Sequence, residues 1–163
     1  MKANQLKEKE NMNQVIENKT ENNKPEVFNE KIQALSQHLN LDNEDLKMIE
    51  ENNDYYSFGD NEYLVLTDDE ADQRAEEYIK DSAWAFNPSF LASHSKVDED
   101  VFKILSEKCE SSNDAILSLI DNFDDFVGDA ISSDGRGHFI SSYDGDENIE
   151  EIKGTEYFIY RIN

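Results

Sequence analysis

The sequence predicts an α+β fold in which several helices pack on a small antiparallel sheet, with a flexible tail at the N-terminus. Apolar residues recur every three or four positions in several segments, a spacing that places them on one face of a helix. Two other segments, residues 62–66 and 157–162, are rich in β-branched and aromatic residues, which is typical of strands. A chain of 163 residues is long enough for one domain with a substantial core.

Residues 1–24 are rich in Asn, Lys and Glu and contain only scattered apolar positions, a composition that favours a flexible tail. The pattern changes at Pro25, after which apolar residues recur at helical spacing. These residues are Phe28, Ile32, Leu35 and Leu39. Asp42 is placed to cap a short helix that follows. We therefore expect a single acidic domain over residues 25–163.

A strand followed by a well-capped helix is predicted next. Residues 55–58 are expected to be extended and residues 62–66 to form the strand. Thr67 and Glu70 match the capping box, in which both side chains accept hydrogen bonds from amides at the start of a helix. The predicted inner face of this helix consists of Ala71, Ala75, Tyr78, Ile79, Ser82 and Phe86.

Residues 113–131 carry the strongest helix signal. Their apolar stripe consists of Ile116, Leu119, Ile120, Phe123, Phe126, Val127, Ala130 and Ile131. Asn113 can cap the first turn by accepting a hydrogen bond from a free amide. Before this helix, Asp98 is expected to cap a shorter one, and residues 88–94 to form an irregular turn or one helical turn. The inner face of the shorter helix is expected to carry Val101, Phe102, Ile104 and Leu105.

The opposite face of the long helix is acidic. It carries Asp114, Asp121, Asp125 and Asp129, with Asp124 at its edge, and the segment has no Lys or Arg to neutralise them. Between Glu110 and Glu151, twelve acidic residues stand against Arg136 alone. Carboxylates one helical turn apart recur about every 6 Å, which is on the scale of the phosphate array of DNA. Such a surface can occupy a basic nucleic-acid channel.

A C-terminal hairpin is predicted after this helix. Gly135 is expected to end the helix, because glycine tolerates the left-handed conformation of a last turn. Residues 138–141 are expected to form a short strand, residues 143–146 a turn, and residues 157–162 the closing strand.

The net charge of −23 is the main indication of function. It repels nucleic acid and attracts basic surfaces, so we expect no direct nucleic-acid binding and a basic protein groove as the partner. No apolar run approaches membrane-spanning length, and the N-terminus lacks the apolar segment of a secretory signal. We expect a soluble protein of the bacterial cytoplasm without membrane contact.

No residue pattern predicts a cofactor, a metal site or a catalytic centre. The single cysteine, Cys109, excludes an internal disulfide and a cysteine-based zinc site and is expected to be half-buried, and the three histidines are too dispersed for a metal site. The acidic runs at 121–125 and 144–148 lack the sixth-position glycine of a calcium loop.

His138 and Asp134 could act as an acid/base pair in a small hydrolase, although a tight turn leading into a strand is the more typical role. Trp84 and Phe90 are candidates for an aromatic contact patch, although core packing is more common for such residues.

Five segments are distinctive: 62–72 (EYLVLTDDEAD), 84–87 (WAFN), 134–139 (DGRGHF), 143–145 (YDG) and 160–163 (YRIN). Together they resemble a family of small acidic proteins from bacteriophages and mobile elements, over roughly residues 28–163. The resemblance implies a genomic setting and brings no catalytic residues, because no activity is established for that family. The acidity is also similar to that of antirestriction proteins that mimic DNA, a likeness of charge alone.

These observations predict a non-enzymatic inhibitor from a phage or mobile element. It would bind a host defence protein, such as a restriction or CRISPR nuclease, by presenting carboxylates to its basic nucleic-acid site. The residues expected to contact the partner are Asp114, Asp121, Asp124, Asp125, Asp129, Asp144, Asp146 and Glu147. The alternatives are an acidic adaptor that binds protein through Trp84 and Phe90, and the hydrolase that uses His138.

Overall fold

The computed structural model describes residues 29–163. The described residues form seven α-helices and a five-stranded antiparallel sheet, which confirms the predicted α+β fold. The predicted tail over residues 1–24 and the start of the first predicted helix at Phe28 lie outside the described residues.

The helices are α1 (Glu30–His38), α2 (Asp68–Asp81), α3 (Pro88–Ser93), α4 (Glu99–Ser106), α5 (Asn113–Leu117), α6 (Phe123–Asp134) and α7 (Arg136–Ile140). The strands are β1 (Glu50–Glu51), β2 (Tyr56–Phe58), β3 (Asn61–Leu66), β4 (Asn148–Ile152) and β5 (Thr155–Arg161). Short 3₁₀ turns lie at Asp45–Met48, Ala83–Ala85 and Cys109–Ser112. The sheet order is β1-β2-β3-β5-β4, so the two longest strands, β3 and β5, are at its centre.

Helices cover both faces of the central strands. Leu64 and Tyr160 pack against the larger layer of helices, α2 to α7, whereas the alternate residues Val65 and Ile159 pack against Leu35 of α1. Because side chains alternate across a strand, a sheet buried on both faces needs continuous apolar runs rather than alternation. This explains why the two central strands were the clearest strand signals in the sequence.

The predicted capping box at the start of α2 is confirmed. The Thr67 hydroxyl accepts a hydrogen bond from the Glu70 amide, and the Glu70 carboxylate accepts one from the Thr67 amide at 2.8 Å. Glu70 also lies 2.6 Å from the Lys31 ammonium of α1. Partial burial acts to raise the pKa of Glu70, but the bonds from Lys31 and Thr67 outweigh it and lower the pKa. Glu70 therefore joins the two helical layers through an ionised carboxylate.

Substituting Glu70 with Gln tests this charge. Gln keeps an acceptor for the Thr67 amide but loses the ion pair, so we expect the free energy of unfolding at neutral pH to fall by about 0.5–1 kcal/mol. Because the folded-state pKa is lowered, the difference between the proteins should be full above the unfolded-state pKa and disappear as pH falls through the folded-state pKa. Urea unfolding of both proteins across this pH range measures it, and a pH-independent difference would contradict the ionic contribution.

The predicted long helix over residues 113–131 is wrong, because it is two helices, α5 and α6. The chain leaves the helical path at Ser118, and the Asp121 amide donates to the His94 carbonyl at 2.9 Å. Asn122 is extended, and its side chain accepts hydrogen bonds from the Asp124 and Asp125 amides to begin α6. The predicted capping role of Asn113 is also wrong: its side chain accepts from the Trp84 amide at 3.0 Å and donates to the Lys80 carbonyl.

The predicted strand at residues 138–141 is wrong, because residues 136–140 form helix α7. This segment buries Phe139 and Ile140 against the core beside α2. With only five residues, its apolar positions cannot distinguish a helical from an extended period. The C-terminal hairpin exists, but its first strand is β4, which pairs with β5.

Several side chains predicted to point inward are exposed. Tyr78 of α2 is 53% exposed, and Val101 and Ile104 of α4 are also exposed, whereas Phe102 is fully buried. Cys109 is exposed, which contradicts the half-buried position expected for it. Asp98 caps α4 as predicted, by accepting a hydrogen bond from the Asp100 amide at 2.9 Å.

Candidate functional site

Helix α6 presents three of the predicted contact residues to solvent. Asp124, Asp125 and Asp129 are all exposed. At about 100° per residue, Asp125 and Asp129 share the outer face of the helix, while Asp124 lies on the side that carries Val127 and Gly128. Asp124 and Asp125 also stand at the N-terminal end of the helix, where the helix dipole favours negative charge. The helix dipole thus favours two of these three charges.

A groove lies between α6 and the first half of α2. It has a volume of about 360 Å³. Its lining residues are Asp72, Glu76, Asp124, Val127, Gly128 and Ile131. Carboxylates from both helices therefore surround an apolar floor, and no Lys or Arg is among the lining residues. We call this feature the acidic groove.

The two α2 carboxylates, Asp72 and Glu76, were not among the predicted contact residues. They are separated from Asp124 by about fifty positions in the sequence, and only the packing of α2 beside α6 brings them together. Their spacing of four residues on an exposed helix face was a detectable signal, but an acidic helix face is ordinarily only solvated.

The other acids predicted in the long helix occupy different settings. Asp114 is exposed on α5, and Asp121 lies in the connection between α5 and α6. Asp121 is 3.2 Å from the Lys96 ammonium, an exposed ion pair that contributes little to stability. Asp129 lies 3.6 Å from His94 Nε2. The regular spacing expected for Asp121, Asp125 and Asp129 therefore holds only within α6.

Asp144 and Asp146 lie in the connection between α7 and β4 and are exposed. The Asp146 amide and the Ser141 hydroxyl donate to the Asp144 carboxylate, and these two bonds lower the pKa of Asp144. Asp144 therefore holds this turn together, whereas Asp146 is available at the surface.

Glu147 is engaged inside the protein. Its carboxylate accepts hydrogen bonds from Arg136 Nε at 2.9 Å and Nη2 at 3.3 Å, and from the Tyr160 hydroxyl. Arg136 Nη1 also lies 2.7 Å from Asp68 and 2.9 Å from Asp72 of α2. We call these residues the Arg136 cluster.

The Arg136 cluster holds a guanidinium and its carboxylate partners next to the core. The Arg136 side chain is only 12% exposed, and its guanidinium lies 4.2 Å from the centre of the Phe158 ring. Burial acts to lower the pKa of Arg136, but the hydrogen bonds to Glu147, Asp68 and Asp72 raise it above its usual range. Burial and the hydrogen bond to Glu147 likewise raise the pKa of Tyr160. Arg136 therefore stays charged and compensates the carboxylates at one end of the acidic groove.

A second depression, of about 390 Å³, lies beside α6 on its other side. Its lining residues are Tyr78, Ser82, Ala85, Phe86, Asn87, Phe90, Ala130, Ser133, Asp134, His138 and Phe139. We call it the aromatic cleft. Of the two predicted aromatic contacts, Phe90 lines this cleft, whereas Trp84 packs half-buried against the core and does not line it.

Asp134 and His138 are both exposed and both line the aromatic cleft. No hydrogen bond joins the two side chains, and the His138 ring lies against Phe139 with 5.0 Å between ring centres. Within residues 29–163, no three His, Cys, Asp or Glu side chains are grouped so that they could hold a metal ion. In the same part of the chain, no helix has the length and apolar character needed to cross a membrane.

The fold and these surfaces define a small, strongly acidic α+β domain with one acidic groove and one aromatic cleft on the same helical layer. No protein-family model, curated protein or solved structure matches the chain.

Proposed function

We propose that the protein is a non-enzymatic inhibitor that binds the basic nucleic-acid site of a host defence nuclease, of the restriction or CRISPR type, in place of nucleic acid. The observation that carries the proposal is the acidic groove. There, carboxylates from α2 and α6 converge, and none of the lining residues is basic. The resemblance to small acidic proteins of phages and mobile elements supports the choice of a defence nuclease as the target.

Charge would act at two ranges in this interaction. The net charge of −23 attracts a basic protein over long distances and speeds encounter. At contact, Glu76, Asp124 and Asp129 can pair with Lys and Arg residues that otherwise hold phosphates. The apolar floor at Val127 and Ile131 limits the access of water to the pairs that Glu76 and Asp124 make inside the groove, which strengthens those two pairs.

The target can be identified by affinity capture from nuclease-treated bacterial lysate at low and high salt. We expect a basic nucleic-acid-binding protein that added DNA displaces and that high salt releases, because salt screens the long-range attraction between the two charged surfaces. Capture of a salt-resistant protein without a nucleic-acid site would contradict the proposal and favour the adaptor.

Charge reversal then tests the surface itself. We expect the triple variant Glu76→Lys, Asp124→Lys and Asp129→Lys to bind the captured target roughly tenfold or more weakly. The matched control is Asp54→Lys, Asp60→Lys and Glu156→Lys, at exposed positions on the sheet and its turns. Both variants change the net charge from −23 to −17, since each of three substitutions adds two charges. Equal loss in both variants would show that total charge, and not this surface, determines binding.

A further inference from the structure

The aromatic cleft is a preformed apolar surface. The Phe86 ring contacts Phe90 and Phe139, with 5.7 Å and 6.2 Å between ring centres, and its edge meets Phe126 at 5.1 Å. Because these rings hold one another in place from α3, α6 and α7, the cleft does not need to rearrange to accept a side chain. Tyr78, 53% exposed, stands at its rim 6.1 Å from Phe139.

The charge around the cleft selects the kind of group that fits it. Asp134 lines the cleft, is exposed and has no ion-pair partner among the described residues, and none of the lining residues is Lys or Arg. The negative field of the whole protein adds to this carboxylate. The cleft therefore favours a group that is both cationic and able to lie on aromatic rings.

An arginine side chain meets both conditions better than a lysine side chain. Its guanidinium is planar and weakly hydrated, stacks on aromatic faces and can bond a carboxylate through two N–H groups, whereas an ammonium is a strongly hydrated point charge. Within residues 29–163, a guanidinium stacks on an aromatic ring at two places: Arg136 lies over Phe158, and the Arg161 guanidinium lies 3.6 Å from the centre of the Tyr143 ring.

We infer that the aromatic cleft takes an arginine side chain of the basic partner, with the guanidinium against the rings and the Asp134 carboxylate. The inference rests on the proposed function, because that function supplies a basic partner. It adds a preference for arginine over lysine that depends on the aromatic rings of the cleft, beyond any preference that carboxylates alone give.

The test compares two fluorescently labelled peptides of equal length and charge, one built from arginine and glycine and the other from lysine and glycine. Fluorescence anisotropy with the full chain at moderate salt should show roughly threefold to tenfold tighter binding of the arginine peptide. The variant Ala85→Leu places a bulky aliphatic side chain in the cleft at an exposed position, without adding an aromatic face on which a guanidinium could stack. It should remove the arginine preference and leave the affinity for the lysine peptide unchanged.

Two further variants make the result specific. Ala115→Leu puts the same side chain at an exposed site on α5 that does not line the cleft, and it should keep the preference. Asp134→Asn should weaken binding of the arginine peptide more than binding of the lysine peptide, and it supplies the test should Ala85→Leu fail to fold. Circular dichroism of each variant establishes that the fold persists.

Equal binding of the two peptides, or an arginine preference that survives Ala85→Leu, would overturn the inference. Displacement of the arginine peptide by a neutral tryptophan–glycine peptide would also overturn it, because the cleft would then be an ordinary apolar site. None of these results affects the acidic groove. The arginine preference could hold while the Glu76, Asp124 and Asp129 charge reversal leaves target binding unchanged. That result would support the inference about the cleft and contradict the proposed charge mimicry.

Discussion

Replacing Arg136 with Ala is expected to lower the free energy of unfolding by about 3–5 kcal/mol. The substitution removes the cation from a site where it is 12% exposed and leaves the partly buried carboxylate of Glu147 without its partner. It also removes the cation that Asp68 and Asp72 share and the contact with the Phe158 ring. A charge left uncompensated at the edge of the core costs much more than the loss of a surface ion pair.

Urea unfolding of the wild type and the variant measures this loss. The control is Arg74→Ala on α2, where both the Arg74 and Glu77 side chains are more than half exposed and 3.8 Å apart. That variant should lose less than about 1 kcal/mol. Arg136→Lys should fall between the two, because Lys keeps the charge but cannot bridge three carboxylates with a planar fork. Similar losses in Arg136→Ala and Arg74→Ala would contradict the central role of the Arg136 cluster.

The Arg136 cluster also affects how the acidic surface can act. The sequence predicted Glu147 as a contact residue, but Arg136 already binds its carboxylate and also binds Asp72, which lines the acidic groove. Binding through these two residues would require breaking internal bonds. The carboxylates left for a partner at this surface are therefore Glu76 and those of α6.

Local signals in the sequence predicted the elements whose causes are local. The capping box at Thr67 and Glu70 and the cap at Asp98 act within one turn, so the residues that form them are adjacent in sequence. The apolar runs of β3 and β5 also predicted strands, because each run is continuous in the sequence. A sheet covered on both faces requires such runs. These elements define the fold class.

The errors arose where distant parts of the chain determine local structure. Asn113 has the chemistry of a helix cap, but Trp84 and Lys80 compete for its side chain from a segment thirty positions away. The break before α6 depends on the His94 carbonyl, which takes the Asp121 amide. The acidic groove likewise joins α2 to α6. Amino-acid pattern cannot reveal such contacts, because they exist only after the helices have packed.

Gly137→Ala is expected to destabilise the protein by about 3 kcal/mol, although Ala favours helices more than Gly does. A Cβ atom on Gly137 would lie 2.2 Å from the Gly145 carbonyl oxygen and 2.9 Å from the Asp146 carbonyl carbon. Both are backbone atoms, so no side-chain rotation can relieve the overlap. The connection between α7 and β4 would have to shift and carry Glu147 away from Arg136.

The matched control for this substitution is Gly128→Ala on α6. Apart from the neighbouring backbone of α6 itself, no atom lies within 4 Å of a Cβ atom at Gly128, so Ala there should raise the free energy of unfolding by up to about 1 kcal/mol through helix propensity. Urea unfolding of both variants separates the two effects, which should have opposite signs. If Gly137→Ala were as stable as Gly128→Ala, the close approach of α7 to residues 145–146 would be wrong, and with it the anchoring of Glu147. Replacing glycine with alanine thus measures helix propensity alone in α6, whereas in α7 it measures the close packing of the backbone.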